Sequence, residues 1–215
     1  MKRIGIFFLL IMFVVSAHAQ TINVQAGTSI SKLNWELSAL NTKSIYNKTL
    51  LSYSALVGVN YIDKKHFNLS SNIGLIKRGG KANRYLNDSG GKLTGEVITE
   101  KPALDYLTFN TTIDLKYPLN DKLVSFVSFG PRVDYLLNSS NHFDILSNMN
   151  ELEDVLLGAL IGGGVRYTKS NMQYGFRVDY YADLTNPAEW TVENVSGKVS
   201  LNTLTVNCTV GYKLK

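Results

Sequence analysis

The sequence predicts an all-β protein: an antiparallel up-and-down transmembrane β-barrel of eight strands, with short periplasmic turns at one end and long extracellular loops at the other. Three observations carry this expectation. Segments of the chain alternate apolar and polar residues, the connections between them alternate long and short, and aromatic residues gather toward both ends of the apolar face. A tilted strand needs ~9–11 residues to cross the hydrocarbon of a bilayer, and each segment is close to that length.

The segments cover residues 21–31, 51–62, 67–78, 104–117, 123–137, 155–167, 172–182 and 202–214. Side chains on a strand point alternately to its two faces, so each segment divides into two sets. One set is apolar: Ile22 and Val24, Val57 and Val59, Leu69 and Ile73, Ile113 and Leu115, Val127 and Val133, Leu157 and Ile161, Phe176 and Val178, Leu204 and Val210. The other is small or polar: Asn23 and Gln25, Ser52 and Asn60, Asn68 and Asn72, Asn110 and Thr112, Ser128, Gly158 and Gly162, Thr205 and Asn207. In a membrane barrel the first set meets lipid and the second fills the lumen. Ser71, Thr111 and Ser125 fall on the apolar face, and Leu56, Ile62, Val124, Phe126 and Leu160 on the polar one.

Long connections at residues 32–50, 79–103, 138–154 and 183–201 alternate with short ones at 63–66, 118–122 and 168–171. All short turns therefore share one end, as in outer-membrane barrels. On the apolar face Tyr61, Phe67, Tyr117, Tyr167, Tyr174 and Tyr212 lie toward the short-turn end. Tyr53, Phe109, Tyr135 and Tyr180 lie toward the long-loop end. These are the positions of two aromatic girdles, where a ring sits in the interface with its hydroxyl in water.

The chain begins with Lys2 and Arg3, an apolar run and the small residues Ala17 and Ala19 around His18, which reads as a secretory signal over residues 1–19 cleaved ahead of a barrel domain at 20–215. Its loss takes the formal charge from +5 to +3, too mild to suggest nucleic acid as a partner. The single Cys208 forms no internal disulfide, and no helical apolar stretch long enough to span a bilayer follows the signal.

The order of "VQAGTSISKL", "VGVNYIDKKHFNLSSNIGLIKRGGK", "LDYLTFNTTIDLKYPL", "SFGPRVDYLL" and "GGGVRYTKSNMQYGFRVDYYADLTN" resembles the PorT-like outer-membrane β-barrel family of Bacteroidota over essentially the whole mature chain. The resemblance implies an outer-membrane address and a barrel. A named member is associated with protein secretion, and most have no assigned activity. The chain departs from such barrels by ending on Leu214 and Lys215 instead of an aromatic residue.

The candidate site residues fall into three groups. Asp114, Arg132, Asp134, Arg166, Arg177 and Asp179 share the lumen face with Lys116, and charges there must be paired; Arg166 and Arg177 are expected to face Asp179 and Asp134. Trp35, Tyr46, Tyr85 and Trp190 head the apolar loop residues, which either pack on one another or wait for a partner. Lys77, Arg78, Lys81, Arg84 and Lys92 at the foot of the second long loop either meet lipopolysaccharide phosphates or are simply solvated.

Chemistry is weakly signalled. His66 lies in a short turn, and His142 sits near Ser139, Ser140 and Asp144 without a spacing that enforces a triad. Residues 87–96 lack the Ser or Thr that a phosphate-binding loop needs after Lys92. Asp144, Glu151, Glu153 and Asp154 match no calcium loop, while Phe143, Leu146, Met149 and Leu152 fit a short helix capping the mouth. No cofactor, metal or catalytic residue is expected. The function expected is a structural or interaction component of the envelope, with lipid, lipopolysaccharide and an envelope or secretion protein as partners. Two alternatives stand beside it: an outer-membrane enzyme acting on lipid or peptide at the rim, and a soluble lipocalin-like carrier with its apolar face inward. The sequence leaves eight against ten strands open.

Overall fold

The structure is a computed structural model that describes residues 20–37, 46, 48–87, 90, 93–144, 146, 151–192 and 195–214. The expected signal segment, Lys92 and Met149 lie outside the described residues. Each of the eight predicted segments falls on one strand: β1 (Thr21–Leu37), β2 (Lys48–Asp63), β3 (Phe67–Asn87), β5 (Ala103–Pro118), β6 (Leu123–Ser139), β7 (Val155–Lys169), β8 (Met172–Asp183) and β10 (Val195–Lys213). Neighbours pair antiparallel in the order β1-β2-β3-β5-β6-β7-β8-β10, and β10 closes on β1 from Thr21↔Lys213 to Leu37↔Gly197. The result is a closed eight-stranded antiparallel barrel. Closure leaves no barrel strand with an unpaired edge, a condition for standing in lipid.

Two further strands extend the wall beyond the long-loop end. β4 (Leu93–Glu100) folds back on the upper part of β3, and β9 (Ala188–Val192) on the upper part of β10. β3 is 21 residues long, about twice what a bilayer requires; it stays in the barrel wall as far as Lys81 through its pairing with β2 and β5, and from Ala82 onward it stands clear, paired with β4. Both faces of such an extension meet water, which is why no clean alternation marks it in the sequence.

The barrel is apolar outside and polar inside. Val24, Val57, Leu115, Val127 and Ile161 are each more than half exposed on the outer face, whereas Gln25, Asn60, Asn72, Asn110, Thr112 and Ser128 are buried within. A ligand carrier of the lipocalin type needs the opposite arrangement, and the structure overturns that alternative. The hydroxyls on the apolar face are spent locally: Ser71 and Thr111 share a hydrogen bond of 2.9 Å between neighbouring strands, and Ser125 donates to the Tyr117 carbonyl. Leu56, Phe126 and Leu160 point inward and help fill the bore, as small barrels require.

The interior changes character along the axis. Toward the long-loop end lies the apolar core, formed by Leu33, Tyr46, Ile76, Leu104, Phe143, Leu146, Leu156 and Val199 among others. Below it come charged side chains, and below those amides and hydroxyls.

Candidate functional site: a charge-balanced plug

Beneath the apolar core, four charged side chains form a closed ring across the bore. Arg78 on β3 donates through Nη1 to Asp134 Oδ2 on β6 at 2.9 Å and through Nη2 to Asp183 Oδ2 on β8 at 2.5 Å. Arg132 on β6 pairs with the other Asp183 oxygen and lies 3.3 Å from Asp134 Oδ2. Arg78 Nε reaches Thr203 Oγ1 on β10 at 2.9 Å. In the strand order β3 and β8 stand on opposite sides of the barrel, so the ring spans its full width. Tyr106 and Tyr181 lie under the two guanidiniums, at 5.6 Å from Arg78 and 4.5 Å from Arg132.

A second layer lies nearer the short turns. Arg177 makes a two-pronged contact with Asp179 on its own strand, at 2.7 and 2.8 Å. Arg166 pairs with Asp114 at 3.3 Å, and Asp114 also accepts from Asn68 and Ser128. The Phe126 ring packs against both Arg166 and Arg177. A ladder of amides then crosses three strands, Gln25 donating to Asn72 and Asn72 to Asn110. Arg78, Arg132, Arg166 and Arg177 thus meet Asp114, Asp134, Asp179 and Asp183, and within these two layers the four positive charges balance the four negative ones. Unpaired, such charges would cost several kcal/mol each.

The pairing differs in part from the sequence expectation. Arg177 does meet Asp179, but Arg166 meets Asp114, and Asp134 is taken by Arg78 and Arg132. Arg78 was expected at the foot of a water-facing loop; it is wholly buried, because β3 continues past it and its position shares the inward parity of Asn68 and Asn72. Asp183 was expected in a loop and is the last residue of β8. Lys77, next to Arg78, faces outward and pairs with Asp105.

Above the ring the loops close the mouth. Trp35 stacks on Phe143 at 5.6 Å and meets Tyr46 and Trp190, each at 6.0 Å. Of the two readings open for these apolar loop residues, the structure takes self-packing for Trp35, Tyr46 and Trp190, while Tyr85 stays 62% exposed on the β3–β4 extension. A short turn at Asn141–Phe143 delivers Phe143 and Leu146 into the core, with Leu152 packed against it. Burial, reinforced by the Glu100 carboxylate and opposed by Arg84, raises the pKa of the Tyr46 hydroxyl and keeps it protonated. Where the second charged layer meets the amides, the bore retains a cavity of about 20 Å³, lined by Asp114, Arg166 and Arg177 and by Gln25, Asn60 and Asn72, room for about one water.

The ten girdle candidates, Tyr53, Tyr61, Phe67, Phe109, Tyr117, Tyr135, Tyr167, Tyr174, Tyr180 and Tyr212, all sit on outward positions and none is buried. Two of their hydroxyls have polar partners near the long-loop boundary: Tyr53 donates to Asp105 and Tyr180 to Asn202. His142 lies against the Tyr46 ring, and Ser140 accepts from the Ala103 amide; no hydrogen bond joins His142 to Ser139, Ser140 or Asp144 among the described residues. Nor do three or more His, Cys, Asp or Glu side chains gather there as a metal site.

No family model matches the sequence, and no curated protein matches it either. Solved structures do. The outer membrane protein OprG from Pseudomonas aeruginosa superposes with a TM-score of 0.50 at 9% identity, over 92% of this chain and 97% of that one. Neisserial surface protein A gives 0.47 at 11% identity, over 90% and 97%, and the attachment invasion locus protein Ail of Yersinia pestis gives 0.42 at 10%, over 89% and 98%. At such identities the likeness is one of fold, and the OprG superposition places the chain in the architecture of outer-membrane barrels.

Proposed function

We propose that this chain is a non-catalytic outer-membrane barrel that acts as a structural or interaction component of the envelope, exported by its N-terminal signal and related to the PorT-like proteins it resembles. The observation that carries this reading is the filled bore. Among the described residues a charge-balanced ring under an apolar lid fills the bore, so the working surfaces are the ends of the barrel, not its lumen. Apolar side chains facing outward on every barrel strand support a position in lipid. At the long-loop end the β3–β4 extension offers Tyr85, Val97 and Ile98 to a protein partner, each exposed by 45% or more. Arg84, alongside them with most of its side chain in water, suits the phosphates of lipopolysaccharide.

The test is the behaviour of the protein in fractionated cells and in a planar bilayer. Detergent-dependent extraction with the outer membrane, a gel mobility that changes on boiling, and no steady conductance after reconstitution are the expected results. Recovery from the soluble periplasm removes the membrane role; stable ion channels remove the plug.

A further inference from the structure

We propose that the short-turn mouth of the barrel is an anion-binding vestibule that takes a phosphate-bearing ligand. The mouth opens as a basin of about 610 Å³, and cations dominate its wall: Lys64, Lys65, Lys116, Lys122, Arg166 and Lys213. Among the described residues two carboxylates join them, Asp63 and Asp121. Asp63 is already engaged from both sides, by Lys116 and by Lys213 at 3.8 Å, and Arg166 at the floor is held by Asp114. Lys64, Lys65 and Lys122 are exposed and make no ion pair among the described residues.

The excess of positive charge belongs to this end of the molecule. At the opposite end Glu96, Glu100, Glu153, Asp154 and Glu189 offset the basic residues. A concave basin of one sign focuses its field and raises the local concentration of the opposite ion. Lys116 and Lys213 lie on the inward register of β5 and β10, in step with Asp114 and Gly211, so the basin lies on the barrel axis and not in the lipid annulus. Ammonium groups act as point charges suited to phosphate oxygens. Among the described residues Pro118 and Val124 are its only apolar lining residues, which offers a peptide little to bury. The vestibule rests on this geometry alone and stands or falls separately from any role of the long-loop end.

The experiment is calorimetric titration of the full chain in non-ionic micelles at low salt with pyrophosphate, with short-chain phosphatidylglycerol and with an oligoglutamate peptide. The triple variant K64E/K65E/K122E is run beside it, its fold checked by the boiling-dependent gel shift. Saturable binding of either phosphate compound, weakened roughly tenfold or more by the variant and by salt of about 0.5 M, is the expected result. Pyrophosphate binding points to a soluble phosphate ligand, and binding of the lipid alone points to an inner-leaflet headgroup. Oligoglutamate binding as tight as pyrophosphate overturns the proposal in favour of an acidic polypeptide. No binding, or binding indifferent to salt and to the substitutions, overturns it outright; should the triple variant fail to fold, K122E and the salt series on the unaltered chain decide.

Discussion

Arg78 and Asp134, 56 positions apart in sequence, meet at 2.9 Å in the middle of the barrel with neither side chain reached by solvent. Through this contact the register of β3 is tied to that of β6, and through Asp183 to that of β8. Slipping any one of these strands by one residue would turn its charge outward, because the side-chain period is two. The ring therefore acts on specificity of register as well as on filling the bore.

Removing one member exposes the cost. Arg78→Leu leaves Asp134 and Asp183 sharing Arg132 alone, and the folded barrel should lose about 3–5 kcal/mol, the usual cost of breaking a buried pair. The double variant Arg78→Leu with Asp134→Asn should recover part of that loss. Urea titration of the refolded protein in micelles measures both; equal stability of wild type and Arg78→Leu would mean that the ring contributes nothing.

The ring also needs room. A Cβ added at Gly158 would lie 2.4 Å from Arg132 Nη2 and 2.6 Å from the Ala182 carbonyl, and one at Gly162 would lie 2.1 Å from Asp179 Oδ1. β7 is thus the thin wall against which the arginines lie. Gly158→Val should destabilise by about 1–3 kcal/mol through overpacking, whereas Gly95→Ala, whose Cβ meets nothing but whose φ is +80°, should cost only its backbone strain. Comparable unfolding midpoints for Gly158→Val and wild type would contradict this account.

The barrel itself was legible because lipid imposes one rule along every strand: an apolar outward face such as Val127, Phe129 and Val133 must alternate with an inward face free to be polar. The plug was legible in composition and only partly in pairing. Arg78 sits in "KRGGK", which reads as a basic loop, although the parity running from Asn68 through Asn72 already assigns it inward. Ion pairs across the bore depend on barrel shear and side-chain length, neither of which a linear pattern carries. β4 was missed for another reason: a hairpin wet on both faces has no obligation to alternate; β9, with Ala188 and Trp190 turned to the core, is only five residues long, too short for an alternating pattern to stand out.

The two tryptophans of the chain, Trp35 and Trp190, meet edge to face at 6.0 Å within the lid. Their fluorescence therefore reports on the lid alone. Folded protein should show blue-shifted emission and quenching by acrylamide several-fold weaker than in the urea-unfolded chain, and Phe143→Ala, which removes the ring stacked on Trp35, should raise quenching while the boiling-dependent gel shift persists. Quenching in the folded state equal to that in urea would show that the loops do not close over the bore in solution.

The outer face gives the sharpest separation of membrane from water. Ile161 lies near the middle of β7, outward and 55% exposed, opposite Phe129 on β6 and Tyr180 on β8. In water an exposed Ile→Arg change is nearly neutral, since the guanidinium stays hydrated. In a bilayer the same position lies among lipid-facing residues, and an arginine in the hydrocarbon costs up to about 2–4 kcal/mol, falling toward zero near the interfaces. Ile161→Arg should therefore destabilise the protein in liposomes by that amount, and Tyr167→Arg, closer to the short-turn boundary, by less. Denaturant titration of both variants in phospholipid vesicles reads the difference directly; equal and negligible effects would mean that the apolar face of this barrel meets something other than lipid.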